Sequence, residues 1–208
     1  MVLFCAPLAQ AYSDGDFQIW NTDTQEYKIN KDFKVSLDEE FRWGGDAREF
    51  FYQHYDLGLS YKLSKYWSVG GGYRQAYELR KGKFKPENQP YITATLSLSA
   101  AGIIFESRNR FEYRNFCYKA DSGRYRNKFT LKYPLKIAKF EVKPFLSDEI
   151  FFGFGGTNKF NQNRFSSGFG FDIIENIKAE IYYMLVTSES SKRWIDSNVL
   201  GIKFKIIL

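Results

Sequence analysis

Long segments of alternating apolar and polar residues constrain the fold of this chain more than any other feature. Between Phe33 and Trp43 the odd positions are apolar, except for Glu39, and the even positions are polar or charged. Because successive side chains of a β-strand point to opposite faces of the sheet, this segment predicts a strand with one apolar and one charged face. It has about eleven residues, whereas soluble strands have about five or six and tilted membrane-spanning strands about 9–11.

The same alternation recurs along the whole chain, without a Pro-, Gly- or Ser-rich linker that would separate two domains. The further segments are Tyr55–Leu63, Trp67–Glu78, Ile92–Leu98, Ile103–Arg114, Arg124–Tyr133, Arg164–Ile173, Lys178–Leu185 and Leu200–Leu208. We count about eleven strands and expect ten to twelve, with an even final number because bacterial single-chain barrels have even strand counts. The division of Asp16–Lys28 stays open between one strand, two short strands and a partial plug.

The predicted connections alternate between short and long, as they do between the two ends of an outer-membrane barrel. Short turns are predicted at residues 30–32, 64–65, 100–102, 134–138 and 175–176, and longer loops at 44–48, 79–89, 116–123, 153–162 and 187–196. The fold class predicted from these features is all-β, a single antiparallel up-and-down transmembrane barrel.

The composition is unusual for a soluble core, because aromatic residues reach 19% while charged residues still make up 26% and the mean hydropathy is −0.44. A sheet with one apolar and one charged face uses both classes. The net charge is +6, but the basic residues are scattered rather than clustered, so we expect no nucleic-acid partner. No stretch approaches the roughly 20 apolar residues of a membrane helix.

The N-terminus predicts export. Val2–Ala9 is a short apolar stretch, and Ala9-Gln10-Ala11 fits a small-x-small cleavage site. Residues 1–11 are therefore interpreted as a signal-peptide remnant and residues 12–208 as the barrel domain, with an ordinary apolar N-terminus as the alternative. Cys5 would leave with the signal, so Cys117 would have no disulfide partner.

Three features favour a barrel with its apolar face outside and its charges enclosed, located in the bacterial outer membrane. Acidic and basic residues share the polar face of neighbouring strands, aromatic residues gather near strand ends, and Val199–Leu208 resembles the terminal signal read by the barrel-assembly machinery, although the last residue is Leu208 rather than Phe. Expected partners are outer-membrane lipids, lipopolysaccharide and that machinery. The predicted lumen charge network comprises Arg42, Arg74, Glu106, Arg108, Arg110, Glu112, Arg114, Arg124, Arg126, Lys128, Glu149 and Arg164. A soluble lipocalin-like binding barrel is the alternative.

The order of several short motifs resembles an outer-membrane β-barrel family catalogued as domain of unknown function 2490. The motifs are Asp16–Trp20, Glu40–Arg42, Gly72–Arg74, Arg108–Arg114, Lys143–Phe152, Asn163–Ser166, Ile181–Met184 and Asn198–Gly201. The resemblance spans nearly the whole mature chain. It implies the barrel fold and an outer-membrane location, and it brings no established activity or catalytic residues.

A catalytic site is a second hypothesis. His54, Asp56 and Ser60 share one face of a predicted strand and would suggest a hydrolase acting on lipid or lipopolysaccharide. No Gly-x-Ser-x-Gly motif accompanies them, and the predicted register turns His54 into the lumen, so a polar lumen residue is the preferred interpretation. As a test, His54→Ala should abolish any such activity.

Other polar motifs favour structural roles. Arg164 is expected to bridge to Glu149 if their strands pair, with calcium binding by Asp148 and Glu149 as the alternative. Gly70-Gly71-Gly72 lacks the context of a phosphate loop and more plausibly lets a bulky Arg or Tyr cross the lumen. We expect no metal and no cofactor. The leading functional hypothesis is a non-enzymatic barrel whose lumen is largely filled by side chains, narrow or closed, with a preference for anions.

Overall fold

A computed structural model describes residues 13–137, 140–155, 158–190 and 193–208. The described residues form β-strands joined by turns and loops: β1 (Asp16–Lys28), β2 (Phe33–Gly44), β3 (Glu49–Lys62), β4 (Trp67–Arg80), β5 (Lys83–Ala100), β6 (Ile103–Phe116), β7 (Ser122–Lys132), β8 (Leu135–Ile137), β9 (Phe140–Phe154), β10 (Lys159–Ile174), β11 (Ile177–Ser190) and β12 (Arg193–Ile207). Within these residues, no helix is long and apolar enough to cross a bilayer. The predicted signal segment lies outside the described residues.

Eleven of these strands close into a ring, because β9 pairs with both β7 and β10 while β12 pairs with β1. The short strand β8 pairs only with β9 and stands outside the ring. It continues the register of β7, since Lys132 lies opposite Phe145 and Leu135 lies opposite Val142. Pro134 separates β7 from β8, because proline has no backbone N–H to donate to the hydrogen bonds between strands.

The structure confirms a single all-β barrel with a strand number in the expected range, but the expectations of an even number and of purely antiparallel pairing are wrong. The ring is closed by a parallel pair, with Asp16 opposite Ser197 and Trp20 opposite Gly201, while all its other pairings are antiparallel. A parallel seam lets an odd number of alternating strands close. Asp16–Lys28 forms one strand, and β1 begins and β12 ends at opposite ends of the barrel.

Connections at the two ends differ less than the sequence predicts. We call the end at which β2, β4, β6, β9 and β11 finish the loop end, and the opposite end the turn end. The prediction of a long loop at residues 79–89 is wrong, because β4 and β5 extend through this region and meet at a two-residue turn. Lys81 and Gly82 have φ of 51° and 73°, as a hairpin turn with the right-handed twist of its strands requires.

A longer connection at the loop end, residues 117–121, is fastened by one carboxylate. The Asn115 side chain, the Phe116 backbone N–H and the Tyr113 hydroxyl all donate hydrogen bonds to Asp121. These bonds hold the pKa of Asp121 below its usual range, so the loop keeps its anchor at neutral pH.

The two faces of the wall differ sharply in chemistry. Leu57 and Ile92 expose 57% and 66% of their surface on the outside of the barrel, and Phe111, Phe129 and Phe169 lie on the same outer face. Their polar neighbours in sequence point inward, where most of the buried residues are charged or polar. Strand alternation therefore puts the apolar side outside and the ionic side inside.

Glycines let two tyrosines lie flat across the inner wall. A Cβ at Gly72 would lie 2.4 Å from the Tyr91 hydroxyl, and one at Gly201 would lie 2.0 Å from the Tyr182 ring. Gly72 thus makes room for a bulky side chain, as predicted, but Tyr91 lies along the inner wall rather than across the lumen.

Candidate functional site

Asp56 anchors one of the charge clusters inside the barrel. Its two oxygens accept hydrogen bonds from the Tyr91 hydroxyl at 2.6 Å, from Arg74 Nε at 2.9 Å and from the Arg110 guanidinium at 3.3 Å. The Arg110 guanidinium also lies 3.4 Å from the centre of the Tyr91 ring. Since β4 and β5 lie between β3 and β6 in the ring, these contacts join four consecutive strands along the inner wall.

Glu112 and Glu149 share Arg126, and Arg110 joins them to the Asp56 cluster because its Nε lies 2.7 Å from Glu112 Oε1. Arg126 reaches Glu112 Oε1 at 2.9 Å and Glu149 Oε1 at 2.8 Å. Arg124 also binds Glu112, and Arg108 binds Glu149 at 2.9 Å. A planar guanidinium with donors on several edges can bridge two carboxylates in this way.

The predicted bridge between Arg164 and Glu149 is long. The two residues are directly opposite in the pairing of β9 with β10, but Arg164 Nη1 lies 3.9 Å from Glu149 Oε2. Arg164 instead packs between two aromatic rings, 4.9 Å from the Trp20 ring centre and 4.6 Å from that of Phe151. The Arg42 guanidinium also lies near Trp20, 3.6 Å from its ring centre.

Two cavities occupy the lumen. The loop-end cavity has a volume of about 600 Å³, and the central cavity, deeper in the barrel, about 180 Å³. Four arginines line both of them, and we call this set the arginine layer: Arg42, Arg74, Arg126 and Arg164. Because these side chains come from β2, β4, β7 and β10, the layer narrows the passage from several directions.

The surface that faces the cavities is strongly cationic. Among the described residues, seven arginines but only three glutamates line the loop-end cavity, and seven cationic side chains but only three acids line the central cavity. Several partner carboxylates, including Asp56 and Glu112, lie behind the guanidinium groups and are almost completely buried. A solute in the lumen would therefore meet positive charge.

The other predicted network residues lie in separate places. Arg114 forms a two-bond pair with Glu87 near the loop end. Glu106 pairs with Lys132 at 3.1 Å near the turn end, where both are partly exposed. Within the described part of the chain, Lys128 has no carboxylate within 4 Å.

The structure does not assemble a hydrolytic triad. His54 is 3% exposed, and its Nδ1 lies 3.6 Å from Glu40 Oε1. Ser60 is six residues further along β3, roughly 20 Å away at the rise of a strand. The carboxylate of Asp56 is fully used by Tyr91, Arg74 and Arg110. Among the described residues, no group of three or more His, Cys, Asp or Glu side chains is placed to hold a metal ion.

Sequence reasoning missed an apolar cluster on the inner wall. Its members are Trp20, Phe145, Tyr182, Met184, Val186 and Val199. The sequence predicts aromatic residues on the outer face, where most of them lie. The alternation of side chains along each strand also predicts which aromatic residues point into the lumen. Trp20, for example, has the parity of Gln18 and Thr22, which are buried polar residues.

A closed barrel with a constricted, charged lumen is the architecture of a porin-like protein. Among solved structures, the chain is similar to the NanC porin in a rhombohedral crystal form, with a TM-score of 0.56 over 92% of this chain and 99% of that one. Their sequence identity is 12%, so the likeness concerns the fold alone. Comparison with curated proteins finds no match.

A family model places the chain more specifically. The model of the protein family of unknown function DUF2490 matches residues 17–197. The chain belongs to this family, as the resemblance in its sequence motifs predicts.

Proposed function

We propose that this protein is a non-enzymatic barrel of the bacterial outer membrane that gives small anions a narrow passage, limited by the arginine layer. The observation that carries the proposal is the excess of cationic side chains lining both cavities. The proposal includes contact with outer-membrane lipids and lipopolysaccharide, and insertion by the barrel-assembly machinery.

The outer surface supports a membrane location. Large side chains such as Leu57, Ile92, Phe111 and Tyr183 are about half exposed or more along the strands. Soluble monomers rarely expose apolar patches larger than a few hundred Å². In a bilayer these side chains are not exposed to water, because acyl chains cover the apolar band of a barrel.

The inner surface supports a passage that is narrow rather than wide. Small barrels are filled by their side chains, while 16–18 strands leave an aqueous channel. In this ring of eleven strands, Tyr91 and Arg110 pack together on the inner wall, and Arg42 and Arg164 both pack near Trp20, so side chains narrow the lumen. We therefore expect a small conductance.

Planar-bilayer recording of the purified barrel under a KCl gradient tests the proposal. The expected result is a small current whose reversal potential lies toward that of chloride. Arg164→Ala should raise the conductance and weaken the anion preference, because Arg164 narrows the passage and adds positive charge to both cavities, while its ion pair with Glu149 is long, at 3.9 Å. Lys178→Gln is the matched control, since Lys178 lines neither cavity and pairs with Asp172.

Three outcomes would contradict the proposal. One is a large cation-selective current from the native barrel, and another is a folded barrel that shows no conductance. The third is recovery of the protein in the periplasmic fraction without detergent, with no difference in gel mobility before and after boiling in SDS.

A further inference from the structure

The wall of the central cavity carries cations directly above buried hydroxyls. Arg108, Lys128, Glu149 and Arg164 form one cross-strand row on β6, β7, β9 and β10. Two residues along the strands toward the turn end, Thr130, Ser147 and Ser166 form a second row. The rows are separated by about 7 Å, the rise of two strand residues.

Two groups at this place have no partner in the described part of the chain. Ser147 is 3% exposed, lines the central cavity, and its Oγ makes no hydrogen bond. Lys128 lines the same cavity and has no carboxylate within 4 Å of its Nζ. Buried hydroxyls are normally hydrogen-bonded, and an enclosed ammonium normally has a counter-charge. A negatively charged hydrogen-bond acceptor would therefore be a suitable partner for both the Ser147 hydroxyl and the Lys128 ammonium.

Glu149 does not supply that acceptor. It is shared among Arg108, Arg126 and, at longer range, Arg164. Three guanidinium groups around one carboxylate already leave an excess of positive charge, to which Lys128 adds. Arg108 Nε and Arg164 Nε also lack hydrogen-bond acceptors among the described residues.

We propose that the central cavity binds one tetrahedral oxyanion, phosphate or sulfate, between Lys128, Arg164 and Ser147. Lys128 and Arg164 supply charge-assisted hydrogen bonds, and Ser147 donates its hydroxyl from the turn-end side. The cavity volume of about 180 Å³ is on the order of that of six water molecules in the liquid, which admits an inorganic oxyanion with some hydration. The inference deepens the proposed passage by naming the class of anion held within it.

Isothermal titration of the full-length barrel in detergent with sodium sulfate, and separately with sodium phosphate, tests the site. Chloride at equal ionic strength is the reference, because it carries negative charge but lacks the separate oxygen acceptors of a tetrahedral oxyanion. We expect saturable one-to-one binding of both oxyanions in a chloride background.

Substitutions locate the binding. Lys128→Gln should weaken sulfate binding about ten-fold or more, since a hydrogen bond to a charged group contributes about 1.5–3 kcal/mol. Ser147→Ala should weaken it by a smaller factor. Lys132→Gln is the control, because Lys132 lies on the same strand but pairs with Glu106 and does not line the cavity. Lys128→Arg, which keeps the charge, should retain binding if Lys128→Gln loses it.

The outcomes distinguish failure of the oxyanion site from failure of the proposed anion passage. If sulfate does not bind, or binds equally to native protein and to Lys128→Gln with unchanged heat-modifiable mobility, the site is rejected. Anion-selective conductance in that case would leave the passage standing. Saturable binding that depends on Lys128, in a barrel that shows no conductance, would establish the site and reject the passage.

Discussion

The inner wall has two sectors that are held together by different forces. In the charged sector, on β6, β7 and β9, arginines and glutamates compensate one another, with Arg126 shared between Glu112 and Glu149. In the apolar sector, in the middle of β11 and β12, Met184 lies opposite Val199 and both are buried. The two sectors belong to one lumen and to strands of similar length.

The difference indicates where the barrel tolerates change. Ion pairs enclosed away from water depend on their partners, because a charge left alone keeps its desolvation cost and loses its attraction. Truncating a buried apolar side chain costs only the contacts of the removed atoms and the free energy of any cavity that remains. We therefore expect single truncations to be most damaging in the charged sector.

The largest effect is expected for Glu149→Ala. This change leaves Arg108, Arg126 and Arg164 around a site without its carboxylate, and breaking a buried ion pair from one side costs about 3–5 kcal/mol. The free energy of unfolding in urea, followed by tryptophan fluorescence of the barrel in lipid vesicles, measures the loss.

Glu106→Ala is the control for this effect. Glu106 pairs with Lys132 near the turn end, where both side chains are about one-third exposed, and such pairs contribute about 0.2–1 kcal/mol. Equal losses for the two variants would show that the charged sector is not specially dependent on its enclosed acids.

An intermediate effect is expected in the apolar sector for Gly201→Ala. The added Cβ would lie 2.0 Å from the Tyr182 ring, and overpacking costs about 1–3 kcal/mol. In the double variant with Tyr182→Ala the clash is gone, so the two changes should cost less together than the sum of their separate costs. A double-mutant cycle in urea checks this, and strictly additive costs would mean that the ring moves aside freely.

Strand parity predicts much of this arrangement from the sequence alone. Arg42, Arg110 and Arg126 lie on the face opposite to Phe41, Phe111 and Tyr125 because side chains alternate along every strand. That alternation gives the orientation of nearly every predicted lumen residue. It also explains why His54 and Asp56 share a face without forming a catalytic pair.

The alternation of side chains does not predict which residues on different strands come into contact. The contact of Arg110 with Asp56 crosses two intervening strands, and its existence depends on ring closure and on Gly72, which leaves room for Tyr91. The parallel seam between β1 and β12 also has no local signal, because either strand alone is compatible with both orientations. The cavities depend on these long-range features and so could not be predicted.

The smallest effect is expected for Met184→Leu in the apolar sector. Exchanges that conserve volume usually cost less than about 1.5 kcal/mol, and Met184 packs with Tyr182 and Val199 without any polar contact. Urea unfolding in vesicles should therefore place this variant nearer to the native protein than Gly201→Ala.

Met184 also lines the central cavity, so the same variant separates the packing role of the apolar sector from the role of the charged side chains that line the same cavity. Leucine brings no donor and removes none, and sulfate affinity should stay at the native value while Lys128→Gln loses it. A loss of sulfate binding in Met184→Leu, with unfolding unchanged, would mean that cavity shape rather than the charged sector selects the anion.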